Sequence, residues 1–178
     1  ILRREARKDN CYAGLVFDKY QALPDPLRPH VVLCQASDGG NLGTALRASL
    51  GFGFMDAALI RPCVDPFDPK VLRGSMGAFY QMNLSVFDRF EDYRARFPGH
   101  ALYPFMLDGA TALPEAAKDH PERFALIFGN EQSGLPGEFA GMGTPVFIPQ
   151  SDAIDSLNLA MSVAVGCYAF RLIEAQDT

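Results

Sequence analysis

No stretch of the chain approaches the roughly 18–20 consecutive apolar residues that a membrane-spanning helix needs, so neither such a helix nor a membrane partner is expected. Positive charge is not in excess: 16 Lys and Arg stand against 21 Asp and Glu, a formal net charge of −5. Bulk charge therefore does not announce a nucleic-acid partner. Cysteine is sparse. Cys11, Cys34, Cys63 and Cys167 are scattered with no paired ligand spacing, which argues against a disulfide scaffold or a zinc site and for the reduced thiols of a cytoplasmic protein. No metal is expected. His30, His100 and His120 fall in predicted linkers, where a catalytic role is not expected. Nothing near Ile1 has the charged, apolar and small-residue regions of a signal peptide, and no internal repeat or low-complexity tract is visible.

What remains is an ordinary globular composition. The 178 residues are 48% apolar and 21% charged, slightly more than one average domain, so one core and an appendage are expected. Pro24, Pro26 and Pro29 interrupt any regular element and make Leu23 to His30 a linker or surface loop. Ile1 to Asn10, with Arg3, Arg4, Arg7 and Lys8, reads as the end of a helix, and Cys11 to Tyr20 has weak strand character. The division expected is residues 1–28 as an N-terminal segment and residues 29–178 as the main domain.

Beyond His30 short apolar runs alternate with helical spacing. Strands are predicted at Val31–Gln35, Ala57–Arg61, Tyr80–Phe87, Ala101–Leu107, Phe124–Gly129 and Thr144–Pro149. Helices are predicted at Asn41–Gly51, Pro69–Gly74, Arg89–Phe97 and Asp155–Glu174. This alternation implies an α/β domain with a mostly parallel sheet covered on both faces by helices. The last helix is apolar nearly all round: Leu157, Met161, Val165, Tyr168 and Leu172 form one stripe, and Leu159, Val163, Cys167 and Phe170 occupy the other side. Such a helix must be covered on more than one side, and in so small a chain a second subunit is the expected cover.

Open α/β sheets bind ligands outside the carboxyl ends of their strands, so the loops there are the places to search. The first, Ser37-Asp38-Gly39-Gly40-Asn41-Leu42-Gly43, opens a helix that carries Arg47. Helix amides attract anions, but a Gly-x-Gly-x-x-Gly frame ending at Gly43 puts Asp38 where the first glycine belongs, and a carboxylate there repels a pyrophosphate. A dinucleotide-dependent oxidoreductase is disfavoured on that ground. The second loop, Gly129 to Pro136, sets Glu131 between glycines, and a glycine at a strand end lets a ligand approach the backbone. The third follows Ile148-Pro149 and brings Ser156-Leu157-Asn158 to a helix start, where Ser and Asn also serve as caps. Each loop taken alone is weak evidence, and an ordinary turn or helix entry describes the first two better.

Taken together and in order, Asn41-x-Gly43-x-x-x-Arg47, Phe128-Gly129-x-Glu131-x-x-Gly134-Leu135 and Ile148-Pro149 with Ser156-Leu157-Asn158 resemble the three motifs of the SpoU/TrmH family. These are SPOUT-class RNA 2′-O-ribose methyltransferases. Leu72-Arg73-Gly74-Ser75-Met76-Gly77-Ala78 is similar to the family's segment between the first two motifs. The resemblance runs from Val31 to the C-terminus. It implies a C-terminal trefoil knot, which periodicity alone never suggests, S-adenosylmethionine as cofactor, RNA (rRNA or tRNA) as substrate, and a homodimer. It also implies that residues 1–28 are the remnant or linker of an upstream substrate-binding domain.

Residue by residue, the resemblance implies that Arg47 activates the ribose hydroxyl, with Asn41 and Arg47 toward substrate, Ser156 and Asn158 lining the transfer site, and Glu131 holding its loop or assisting Arg47. Gly129, Ile148 and Leu157 would meet the cofactor mainly through backbone groups, with Leu107 toward the adenine. A guanidinium is by default protonated and a poor base, so proton removal and electrostatic stabilisation of the alkoxide both stay open for Arg47. Where the family usually reads Ile-Pro-Met-x-Gly, this chain has Gln150 and Asp152 at the Met and Gly places. The added negative charge suits a cationic cofactor and opposes nearby RNA phosphate. A non-catalytic cofactor or nucleotide binder that keeps the fold is the alternative.

Overall fold

The computed structural model describes residues 18–174. The readings of Ile1–Asn10 as a helix end and of a strand beginning at Cys11 lie outside them; Asp18–Tyr20 form no regular element. The elements run β1 (His30–Cys34), α1 (Gly39–Gly51), β2 (Asp56–Ile60), α2 (Pro69–Gly74), β3 (Asn83–Phe87), α3 (Phe90–Arg96), β4 (Ala101–Pro104), β5 (Thr111–Ala112), α4 (Leu113–Ala116), β6 (Phe124–Phe128), β7 (Val146–Phe147) and α5 (Leu159–Glu174), with single 3₁₀ turns at Ala78–Gln81 and Gly137–Gly141.

Five strands form one sheet in the order β3-β2-β1-β6-β4, and every pairing in it is parallel. All residues of β1, β2 and β6 are buried, which is why these strands read as continuous apolar runs rather than as alternating ones. The two-residue period survives inside them. Val31, Leu33, Leu126 and Phe128 pack toward α1 and α5, whereas Val32, Cys34, Ala125 and Ile127 pack toward Phe90, Tyr93 and Phe97 of the α3 region. Helices therefore cover both faces, as the alternation requires.

The helix starts have local causes. Asp38 caps α1 by accepting from the Asn41 N–H at 2.8 Å, so α1 begins at Gly39, two residues before the predicted start. Asp68 caps α2 through the Lys70 N–H at 2.7 Å, with Pro69 in the first turn. The two helices cross so closely that a Cβ at Gly43 would stand 2.5 Å from the Val71 carbonyl oxygen and 2.9 Å from the Gly74 Cα. Glycine is required there by backbone contact.

Several boundaries differ from the expectation. The predicted strand Tyr80–Phe87 begins only at Asn83, because Gly77 (φ 90°) turns the chain into the 3₁₀ segment. Ala101–Leu107 leaves the main sheet after Pro104, and Thr144–Pro149 shortens to Val146–Phe147, between Pro145 and Pro149, which pairs with the unpredicted β5. The last helix starts at Leu159 instead of Asp155: Asn158 caps it by accepting from the Ala160 N–H at 2.9 Å, and residues 152–155 form turns. Its inner stripe (Leu159, Val163, Cys167, Phe170) is core, while Met161 and Tyr168 are 56% and 50% exposed. One side of α5 is thus covered within the chain and the other is open.

At the amino end of the sheet the proline-rich segment is fastened down. The Ala22 N–H donates to the Leu84 carbonyl at 3.1 Å, and the Asp25 N–H donates to the buried Asp56 carboxylate at 2.7 Å. His30, fully buried, lies between the Asp25 carbonyl (2.8 Å) and the Tyr93 hydroxyl (2.9 Å). A carbonyl only accepts, so the Nε2–H points to Asp25 and Nδ1 accepts from Tyr93. Burial pushes the His30 imidazole down to about 4, against the opposing pull of the Asp25 carbonyl. His100 stacks on it at 4.1 Å and is shifted down as well, again chiefly by burial.

Candidate functional site

The chain runs from β1 outward to β3, then returns to the far side through β4 and β6, so β1 and β6 flank the point where the winding reverses. The loops leaving their carboxyl ends diverge there and open a crevice. A cavity of about 780 Å³ occupies this place, lined by the loops after β4 (Phe105–Asp108), β6 (Gly129–Leu135) and β7 (Ile148–Leu157). Its volume is that of a small-molecule site.

Glu131 ties the first two motif loops together. Its carboxylate accepts from the Ser37 N–H (3.1 Å), the Ser37 hydroxyl (2.9 Å), the Asp38 N–H (3.1 Å) and, more loosely, the Asn41 Nδ2 (3.4 Å). Partial burial disfavours its charge, but its own N–H, the Ser37 and Asp38 N–H groups and the Ser37 hydroxyl outweigh that and hold the carboxyl below its ordinary range. The third loop joins through Asn158, whose Nδ2 donates to Asn41 Oδ1 at 2.9 Å while its own Oδ1 caps α5. Three segments distant in sequence are thus held by one line of contacts, Glu131 to Asn41 to Asn158.

Sequence reasoning missed Asn130. Its Nδ2 donates to the Gln35 carbonyl at 2.8 Å, and its Oδ1 accepts from the Gln132 N–H at 2.9 Å, which shapes the Glu131 turn. Gln35 itself sits at φ 58°, a strained conformation for a non-glycine residue that these bonds maintain. An Asn followed two residues later by a polar residue is an Asx-turn signal and was legible. Phe105 and Phe128, stacked at 4.3 Å on the cavity wall, were hidden among other strand phenylalanines.

Of the residues singled out from sequence, Leu107, Gly129, Glu131, Ile148, Ser156 and Leu157 line this one cavity. Asn41 and Asn158 stand beside it, joined to Glu131. Arg47 is not brought there. Six residues after Asn41, it lies more than one and a half turns along α1 and about 120° around the helix from Asn41, toward the α2 side, exposed and without an ion pair to any described residue. The role at the ribose hydroxyl that the resemblance implies for Arg47 is therefore not met within the cavity of a single chain. Gly129 is also recast: a Cβ there would lie 2.2 Å from the Gly134 carbonyl carbon, so the loop's own return demands glycine irrespective of any ligand.

The cavity wall carries Asp108, Glu131, Asp152 and Asp155 and not one Lys, Arg or His. Such a wall favours a cation and repels a pyrophosphate. Among the described residues no group of His, Cys, Asp and Glu has the geometry to hold a metal ion, and no helix is long and apolar enough to cross a membrane. The Cys34 and Cys167 thiols are each pushed up to about 12 by burial, so both are unreactive core groups.

Known proteins resemble the chain in sequence and in fold. An uncharacterised tRNA/rRNA methyltransferase of Synechocystis is 32% identical over 170 residues, covering 92% of this chain and 60% of that protein. The 23S rRNA (adenosine(1067)-2′-O)-methyltransferase of Streptomyces laurentii is 29% identical over 133 residues, covering 72% of this chain and 48% of that one. The chain thus spans 60% or less of the length of these curated relatives. Among solved structures, one described as giving insight into the 2-OH methylation of C/U34 on tRNA superposes with a TM-score of 0.76 at 28% identity, covering 85% of this chain and 99% of the other. An AdoMet-bound rRNA methyltransferase from Sinorhizobium meliloti superposes with a TM-score of 0.77 at 28% identity, covering 86% of this chain and 61% of the other. The model of the SpoU rRNA methylase family matches residues 28–168, the whole sheet and all three motif loops, and the chain belongs to that family.

Proposed function

We propose that this chain transfers a methyl group from S-adenosylmethionine to a ribose 2′-OH of an RNA, rRNA or tRNA. The observation that carries the reading is the acidic, cation-free cavity built by the three motif loops and fastened by Glu131, Asn41 and Asn158. When bound, S-adenosylmethionine supplies an electrophilic methyl on a cationic sulfonium. The residues present fit that group: Phe105 and Phe128 offer apolar wall, and Gly129, Ile148, Leu157 and the exposed Leu107 line the same space. The four carboxylates favour a positive charge within it. Ser156, exposed on the same wall, is the side chain assigned to orient the incoming hydroxyl. Positioning of this kind lowers barriers by up to roughly 7–11 kcal/mol.

Arg47 is assigned to the substrate phosphate and the developing alkoxide. Since it lies outside the cavity of its own chain, it acts on the cavity of a second copy, and the unit proposed is a two-fold dimer. The open side of α5, with Met161 and Tyr168 exposed, supports this assembly. The placement of Arg47 is also the one feature favouring a non-catalytic cofactor binder, if the chain acts alone. The compartment is read as the cytoplasm.

The test joins binding to chemistry. Calorimetry should detect S-adenosylmethionine and no NAD, and the protein should incorporate labelled methyl into RNA. Mixing Arg47→Ala chains with Ser156→Ala chains should restore activity that neither has by itself. Cofactor binding with no transfer to any RNA would select the non-catalytic reading, and a monomeric mass by light scattering would remove the shared site.

A further inference from the structure

The last helix carries a glycine where a helix tolerates one poorly. Gly166 lies in the middle of the 16-residue helix α5, with ordinary helical backbone, so no turn asks for it. An interior helix position disfavours glycine against alanine, because glycine gives up the most backbone freedom. What stands opposite explains it. A Cβ at Gly166 would lie 2.8 Å from the Phe105 Cζ, 3.1 Å from the Phe105 Cε1 and 3.0 Å from the Phe128 Cζ. The two rings are stacked at 4.3 Å with 28° between their planes, and the tips of both meet the helix at this one residue. Seven and four residues earlier on the same face of α5, Leu159 and Ser162 line the cavity, as Phe105 and Phe128 do.

The two rings differ in their freedom to yield. Phe128 is buried in β6 as part of the core shared with α1 and α5, and a close-packed core leaves a ring no space to move into. Phe105 is half-buried, and its backbone is pinned. Its N–H donates to the Ile127 carbonyl at 2.8 Å, and the following Met106 N–H donates to the Val146 carbonyl at 2.8 Å. A side chain at position 166 would therefore leave that backbone in place and turn the Phe105 ring off Phe128, toward the cavity it borders.

We infer that Gly166 is a positioning residue of the cofactor cavity: by lacking a side chain it seats Phe105 against Phe128 and keeps the cavity open to its full width. The inference rests on the reading that the cavity takes S-adenosylmethionine. Gly166 acts by space and not by charge. Filling that space therefore weakens the cationic cofactor and its neutral demethylated product alike, unlike a change at the cavity carboxylates.

Calorimetric titration of both ligands tests it, with thermal denaturation of each variant to establish that folded proteins are compared. Gly166→Ala should weaken S-adenosylmethionine and the demethylated product by roughly tenfold or more, and to the same degree. Adding Phe105→Leu, which removes the ring tip from the path of the new Cβ, should recover most of that loss, whereas two independent effects would add. If the unmodified chain binds S-adenosylmethionine and Gly166→Ala binds it as tightly, Gly166 does not set the cavity, while the proposed function stands. Losses that add in the double variant, or a loss for the cationic ligand alone, overturn the inference as well. So does a Gly166→Ala chain that fails to fold and is not restored by Phe105→Leu, since the glycine then serves only the core. If the unmodified chain binds no S-adenosylmethionine, the inference and the proposed function both fall.

Discussion

The two ends of the central sheet are built from the same five strands and differ in almost everything else. At the amino end polar groups are buried and locked: His30 between Asp25 and Tyr93, Asp56 bonded to Asp25 and Asn83, and His100 stacked on His30 and bonded to the Arg28 carbonyl. At the carboxyl end polar groups are half-exposed and line a cavity, joined by bonds that cross between loops. A buried polar network specifies one arrangement and fixes the strands' starts. A network at a cavity rim leaves part of its hydrogen-bonding capacity for a ligand. Stability should therefore be concentrated at one end and activity at the other.

The largest expected effect is at the carboxyl end. Glu131→Ala removes the tie between two motif loops, and kcat/KM for methyl transfer should fall on the order of a thousandfold, about 4 kcal/mol of transition-state stabilisation. Thermal denaturation should show only a small loss, since the residue is outside the core. A large loss of stability with normal turnover of the folded fraction would break the division of labour.

Next comes acid titration of the amino end. Folded His30 stays uncharged down to about 4, whereas an unfolded histidine takes up a proton near 6.5. Below that value the unfolded chain binds the proton that the folded chain refuses. Stability should decline from about pH 6.5 to pH 4, by about 3 kcal/mol from His30 alone, with His100 adding in the same direction. Denaturant melts across this range should show the slope, and His30→Gln should reduce it without altering cofactor affinity near neutrality. Glu131, also shifted down from its usual range, contributes stability that is present above the unfolded carboxylate value and is lost as pH falls through the folded one.

A smaller effect is expected at Asn158. Asn158→Ala loses the α5 cap, worth about 1 kcal/mol, together with the tie to Asn41. Asn158→Asp keeps the capping oxygen but not the Nδ2 donor, so it should restore stability and leave methyl transfer reduced. Equal recovery of both would reduce Asn158 to a cap. The smallest effect belongs to Asp152→Asn. Removing one exposed carboxylate from the cavity wall should lower affinity for cationic S-adenosylmethionine a few-fold relative to its neutral demethylated product, and added salt should mask the difference. Calorimetric titration of both ligands measures the ratio.

The same contrast accounts for what was legible in sequence. Val31–Leu33, Ala57–Leu59 and Phe124–Phe128 are buried on both faces and therefore appear as apolar runs, so the sheet was readable. The strand boundaries at Asn83 and Pro104 depend on Gly77 and on the departure of the chain toward β7, which are local turns no period reveals. Trefoil threading is a property of the chain's path, and only the motif resemblance raised it. The loops that hold Gly129, Glu131, Ile148, Ser156 and Leu157 were singled out because ligands bind outside the carboxyl ends of parallel strands, and the roles of these residues came only from the resemblance to the SpoU/TrmH family. Arg47 stands away from the cavity of its own chain because six residues along a helix turn a side chain about 120° from Asn41. The amino-end cluster went unnoticed because His30 and His100 stand among prolines and glycines that look like linker, and only the fold shows them sharing one buried site.

The central claim is that the carboxyl-end cavity delivers a methyl group to a ribose hydroxyl. The most direct measurement is mass spectrometry of nucleosides from RNA treated with this chain and methyl-labelled S-adenosylmethionine. The account predicts label on a 2′-O-methyl nucleoside, lost when the target ribose is replaced by 2′-deoxyribose and lost with Glu131→Ala. Label on a base, or label that survives the deoxy substitution, would contradict it.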